Sequence, residues 1–193
     1  MIDYQALIKK YCGGNNSLEH ILLTHSRQVA DRALAIVRAH PEWVKSGEID
    51  PVFVEEAAML HDIGVTQCDA PGIHCHGTHP YICHGYLGAD ILRKLGLEEH
   101  ALIAERHTGT GLTADYIAQK ALPLPTGRTY APQSIYEQLI CYADKFFSKT
   151  KLDQEKSLEK VEASLAKWED ASLQRFKAWT LTFYPEHQFP TKP

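Results

Sequence analysis

The chain has 193 residues, 44% of them hydrophobic and 23% charged, with a net charge of -4 when histidine is neutral. That is about one globular domain with a core of its own, and no run approaches the roughly 18 apolar residues of a membrane span. The mild acidity has no basic footprint, so nucleic acid is not an expected partner, and any phosphate site must be local, built from metals and a few cations.

Met1-Ile2-Asp3-Tyr4 lacks a basic segment followed by an apolar run, so no signal peptide is expected. Tyr4 to Tyr11 reads as a short helix closed by Gly13-Gly14. Ser17 is the expected N-cap of a long helix from Leu18 to His40. Its apolar stripe of Leu18, Ile21, Leu22, Val29, Ala33 and Ile36 includes His25. Pro41 and Gly47 mark a loop. Asp50-Pro51 starts a helix from Val52 to Ile63, with Gly64 as its stop. Val54, Ala57, Ala58 and His61 share one face of it, and the alanines leave room for a neighbouring helix. Val65 to His79 reads as a loop carrying His74, Cys75, His76 and His79. For these histidines a solvated loop position is the default and a substrate-lining role the alternative.

Pro80 opens a helix from Tyr81 to Leu95, closed by Gly96, with His84, Leu87, Gly88 and Ile91 facing inward. Glu98 to His107 is a further helix with Ile103, Ala104 and His107 inward, and Thr110 to Ala121 another. Pro123 to Pro132 is a linker-like loop. Ser134 with Glu137 forms a capping box that starts a helix running to Ser148. Asp144 lies on its apolar side, where an unpartnered carboxylate would be costly. Asp153 to Tyr184 reads as one or two amphipathic helices, with Trp168 and Trp179 as core or as a dimer face. There are no internal repeats and no alternating strand pattern. The expectation is an all-α, single helical bundle: residues 1–150 form the main domain, and 151–193 a C-terminal extension packed on it.

Histidine is the unusual residue, 11 in all, and several lie inside apolar helices. His25, the adjacent pair His61-Asp62, His84, His107 and Asp144 are too far apart for one helix. They suit separate helices whose inner faces converge, as a bundle builds a metal site. Imidazole and carboxylate together suit Fe, Mn, Ni, Co or Zn, and a carboxylate can bridge two cations. Lys145, Arg106 and Arg27 are nearby cations, and Thr108 and Thr110 follow His107 between two glycines. Five scattered cysteines without a C-x-x-C pair read as reduced thiols, which points to the cytoplasm.

His25, the stretch His61-Asp62-Ile63-Gly64, His84, His107 and Asp144 resemble the HD superfamily of metal-dependent phosphohydrolases, over roughly Leu18 to Lys149. The HDIG form and the two later histidines are similar to its binuclear branch, as in the YqeK-like and HD-GYP hydrolases. The resemblance implies a helical HD domain with two divalent metal ions. One is held by His25, His61, Asp62 and Asp144, the other by His84, His107 and a bridging Asp62. It further implies hydrolysis of a phosphate mono- or diester, a nucleotide or related small molecule, by metal-bridged hydroxide. His61, Asp62, Lys145 and Arg106 would then be the residues at the reacting phosphate, and a homodimer is conceivable. Two other readings share the same ligand set: a di-iron oxygenase of the superfamily, and a catalytically silent metal-binding sensor domain.

Overall fold

Residues 2–167 and 170–184 are described by a computed structural model. Among them ten α-helices enclose one main hydrophobic core. Helix α1 (Tyr4–Cys12) begins on the Asp3 side chain and ends at Gly13, whose φ of 58° is the left-handed conformation glycine adopts freely. Helix α2 (Asn16–Ala39) is capped by Asn15, whose Oδ1 accepts from the Leu18 amide at 3.1 Å. The expected cap, Ser17, therefore sits inside the first turn. Asn15 does the same job two residues earlier, since a short amide side chain caps as well as a hydroxyl.

A five-residue helix α3 (Pro41–Lys45) occupies the expected loop. Helix α4 (Pro51–Leu60) starts on Asp50 and Pro51 as expected, but it stops at Leu60, before Ile63. His61 and Asp62 lie where the helix gives way to a 3-10 turn at Ile63–Gln67. Gly64 is not a helix stop. A Cβ built there would lie 2.1 Å from the His84 carbonyl oxygen and 2.2 Å from the Gly88 nitrogen, so its role is close approach between backbones.

The expected loop after Val65 is partly ordered into a small sheet of β1 (Cys68–Ala70), β2 (Cys75–His76) and β3 (His79–Pro80). The strand order is β2-β1-β3, antiparallel between β1 and β2 and parallel between β1 and β3. Such two- and three-residue strands are too short to alternate, so no periodicity announces them.

A 3-10 turn at Tyr81–Cys83 leads into α5 (His84–Lys94), which packs on α6 (Glu98–Arg106). The helix expected over Thr110 to Ala121 shrinks to α7 (Ala114–Gln119), because Leu112 pairs with Tyr130 and Thr113 caps the helix. Helix α8 (Ile135–Asp144) starts on Ser134 and ends four residues before Ser148. The C-terminal extension forms α9 (Leu158–Leu165) and α10 (Asp170–Phe183). Phe176 of α10 stacks on Tyr142 of α8 at 4.7 Å, and Trp179 and Phe183 are buried in the same core. That places Trp179 in the core, whereas Trp168 lies outside the described residues. No helix of the described residues is long and apolar enough to cross a membrane.

Candidate metal centre

Five helices or helix ends each deliver a donor to one buried point. His25 comes from the inner stripe of α2, His61 and Asp62 from the end of α4, His84 from the first position of α5, His107 from just past α6, and Asp144 from the last position of α8. All six are buried. Asp62 Oδ2 is 3.1 Å from His25 Nε2 and 3.0 Å from His61 Nε2. Asp144 Oδ1 is 3.0 Å from His25 Nε2 and 3.6 Å from His61 Nε2. The other Asp62 oxygen, Oδ1, faces His107 Nε2 at 3.3 Å and His84 Nε2 at 3.7 Å. The donors thus form two groups, His25, His61, Asp62 and Asp144, and Asp62, His84 and His107, with Asp62 common to both.

Three of the rings are oriented by one device. The Nδ1 of His61, His84 and His107 lies 2.6–2.7 Å from the carbonyl oxygen three residues earlier, on Ala58, Tyr81 and Ala104. A carbonyl only accepts, so each Nδ1 carries the proton and donates, and in the neutral ring Nε2 presents its lone pair to the centre. Burial pushes His84 down to about 3, helped by His107, and also lowers His107. Both are therefore neutral, and their Nε2 atoms sit 3.0 Å apart, lone pair against lone pair. Such an arrangement is unfavourable unless a cation lies between or beside the two atoms.

The other half draws positive charge as well. Burial opposes ionisation of Asp62 and Asp144, but the cations around them hold both well below the usual carboxylate range. Burial also opposes charge on His61, yet the two aspartates lift it to about 9. His25 Nε2, His61 Nε2 and Asp62 Oδ1 are buried without a well-aligned hydrogen bond. Buried polar atoms are rarely left so in a folded protein. A divalent ion would supply what these atoms lack, and the nitrogen and carboxylate donors suit one.

The centre opens into a cavity of about 630 Å³. Lys145 and Lys149 line it beside the donors. Lys145 Nζ lies 2.8 Å from Asp144 Oδ2 and donates to the His107 carbonyl. Lys149 Nζ lies 2.5 Å from Asp62 Oδ2 and 5.8 Å from the Tyr81 ring. Sequence reading missed Lys149. The signal available was its spacing of four from Lys145, but helical spacing loses its meaning once α8 ends at Asp144.

Other expected residues lie elsewhere. Arg106 does not reach the centre: its Nη1 meets both Glu137 oxygens at 3.0 Å and Gln133 at 3.2 Å, which holds the start of α8. Its place as a phosphate-binding cation is corrected on that ground. Arg27 pairs with Glu55 and Tyr4. His74 and His76 are exposed and His79 half-buried, none of them on the cavity wall. Cys75 is buried, its thiol against the Val65 carbonyl. Thr108 and Gly109 line the cavity, whereas Thr110 is turned to Ser172 of α10.

The sequence profile of the HD domain matches residues 22–148. An uncharacterized protein of Methanocaldococcus jannaschii, MJ0778, is 34% identical over 164 residues, 84% of either chain. A tRNA (cytidine(56)-2'-O)-methyltransferase of Thermoplasma volcanium is 31% identical over 128 residues, which is 66% of this chain and 32% of that protein. The enzyme of the same name from Picrophilus torridus is 32% identical over 110 residues, 56% of this chain and 28% of that protein. The chain therefore matches only about a third of the length of those two methyltransferases. No solved structure matches. With the profile spanning every residue of the centre from His25 to Asp144, the chain belongs to the HD domain family.

Proposed function

We propose that the chain is a metal-dependent phosphohydrolase with two divalent ions, acting on a phosphoester of a small molecule. One observation carries this reading: the neutral Nε2 atoms of His84 and His107 face each other at 3.0 Å beside the Asp62 oxygen that the first donor group leaves free. His25, His61, Asp62 and Asp144 would hold one ion, and His84, His107 and Asp62 the other. Divalent ions there bring the pKa of a water near neutrality and offset charge on phosphoryl oxygens. The methyltransferase name belongs to proteins about three times longer than the matched segment, and it is said of those proteins alone.

The chain's own groups do the rest. Asp62 and Asp144 supply the anionic donors, and the carbonyls of Ala58, Tyr81 and Ala104 keep three rings aimed. Lys145 and Lys149 put two ammonium groups on the wall next to the donors, where a phosphoryl group carries its charge. The acidic whole offers no field for a polyanion, so the substrate is taken one small molecule at a time. All five cysteines are free and buried, which suits a reducing cytoplasm.

The test is metal analysis of purified protein, followed by a phosphoester screen with Mn, Fe, Co or Ni. Two ions per chain and phosphate release are expected, with both reduced in Asp62→Asn. Iron-dependent oxygen uptake without phosphate release would replace the reading by the oxygenase. Tight metal binding with no turnover of any kind would replace it by the silent domain.

A further inference from the structure

The cavity that holds the donors is lined by two chemically distinct sets of residues. One set is the donors with Lys145 and Lys149. The lining away from the donors is apolar in larger part, with Thr150, Lys156 and Ser164 as its polar members, and several of these residues come from beyond residue 148, where the HD profile stops. Val161, Ser164 and Leu165 of α9 belong to it, at spacings of three and four that share one helix face. Ile73, Ile82 and Phe147, from the body of the domain, line the same cavity.

This second set is tied down. The Lys156 amide donates to the Phe146 carbonyl at 2.8 Å, and the Lys156 ammonium donates to the carbonyls of Lys145 and Phe147 at 3.1 Å each. Gln28 of α2 bonds the Leu152 carbonyl, and Arg32 pairs with Glu155 while lying over the Phe146 ring. Val161 and Leu165 are buried, so the α9 face is part of the folded core and not a loose flap. Ser164 is exposed at the cavity lip.

We propose that the α9 face is a leaving-group subsite, and that it selects phosphoesters whose leaving group is compact and apolar, such as an aromatic or alicyclic ring. This rests on the phosphohydrolase reading, which puts the phosphoryl group beside the donors. A leaving group attached to that phosphorus then extends along Ile73, Ile82, Phe147, Val161 and Leu165. The apolar part of this lining rewards apolar surface, and the Lys156 ammonium among it is already bonded to the Lys145 and Phe147 carbonyls.

Non-hydrolysable phosphonates test this without turnover. Binding of methylphosphonate and benzylphosphonate to the metal-loaded full chain is measured by calorimetry, in wild type, Ser164→Phe and Val161→Ala. The wild type should bind benzylphosphonate at least tenfold tighter than methylphosphonate. Ser164→Phe fills the lip from an exposed position and Val161→Ala removes apolar contact. Each should shrink the ratio severalfold and leave methylphosphonate affinity unchanged. Equal binding of the two phosphonates by wild type would overturn the subsite, as would a ratio that neither variant alters. Failure of both phosphonates to bind metal-loaded wild type would instead count against the phosphohydrolase reading beneath it.

Discussion

Asp62 and Lys149 make the closest charged contact in the centre, and they ask what an ammonium does beside a carboxylate that also serves both donor groups. Lys149 is half-buried beside Asp62, and the carboxylate raises its pKa against the effect of burial, which favours the ammonium form. On the phosphohydrolase reading a cation on this wall would be a phosphate contact, and a charge-assisted bond of this kind contributes about 1.5–3 kcal/mol. Lys149→Met is therefore expected to weaken methylphosphonate binding by about tenfold or more without lowering metal content. Calorimetry with metal analysis on the same sample checks both halves. Unchanged phosphonate affinity would make Lys149 a counter-ion of Asp62 and nothing more. The six donors were legible in the sequence because each sits at an inward position of a helix or at a helix end, where an unpartnered polar group needs a reason. Lys149 was not, because a chain that leaves its helix carries no period. Arg106 misled for the opposite reason: it is next to His107 in sequence, but one helical step turns it about 100° away, toward Glu137.

Between elements, the tightest fit is the 3-10 turn after Asp62 against α5. Gly64 was legible as important but not for its cause, since a glycine after a helix reads first as a stop. Its lack of a Cβ lets the His84 carbonyl and the Gly88 amide come against the turn that directly follows His61 and Asp62. Gly64→Ala forces two backbones apart, so it is expected to cost about 3 kcal/mol and to reduce metal binding in the same step. Urea unfolding gives the first number and metal titration the second. A variant that lost stability but bound metal normally would uncouple the two. A second junction joins α5, α6 and the loop before α8. Glu105, buried on α6, takes Arg93 at 2.7 Å and Arg128 at 2.9 Å. Burial opposes its charge, but the two guanidinium groups outweigh burial and hold its carboxyl below the usual value. A depressed pKa means that the folded state gives up this proton more readily than the unfolded state. The stabilisation is thus fully present above the ordinary glutamate pKa of about 4.3, and it fades as pH falls toward the folded value. Glu105→Gln should cost about 2 kcal/mol at pH 7, discounted for the partial exposure of both arginines, with the gap to wild type closing below about pH 4. Denaturant curves across pH check the sign. A gap that widened in acid would contradict it.

For the molecule as a whole, the all-α class followed from periodicity. The short sheet and the apolar cavity wall did not, because strands of two or three residues have no pattern and the α9 face looks like ordinary core until the cavity beside it is seen. The wider consequence lies in how the centre is assembled. The six donors come from five helices or helix ends, so α2, α4, α5, α6 and α8, which otherwise pack through the apolar core, also converge on a point where buried polar atoms lack hydrogen-bond partners. Without a cation those atoms weaken the middle of the fold, whereas an ion that binds the folded chain alone stabilises it by mass action. At a free metal concentration a thousandfold above Kd the gain is about 4 kcal/mol. For a chain of this size that is roughly a 10 °C rise in Tm. Stripping with a chelator should lower Tm by that amount, and returning Mn or Fe should restore it. In Asp62→Asn, which removes the shared anion, the metal-dependent rise should be nearly lost. If instead wild type melts at one temperature with and without metal, the centre is held by its own ion pairs. The converging donors would then be a polar core and not a binding site.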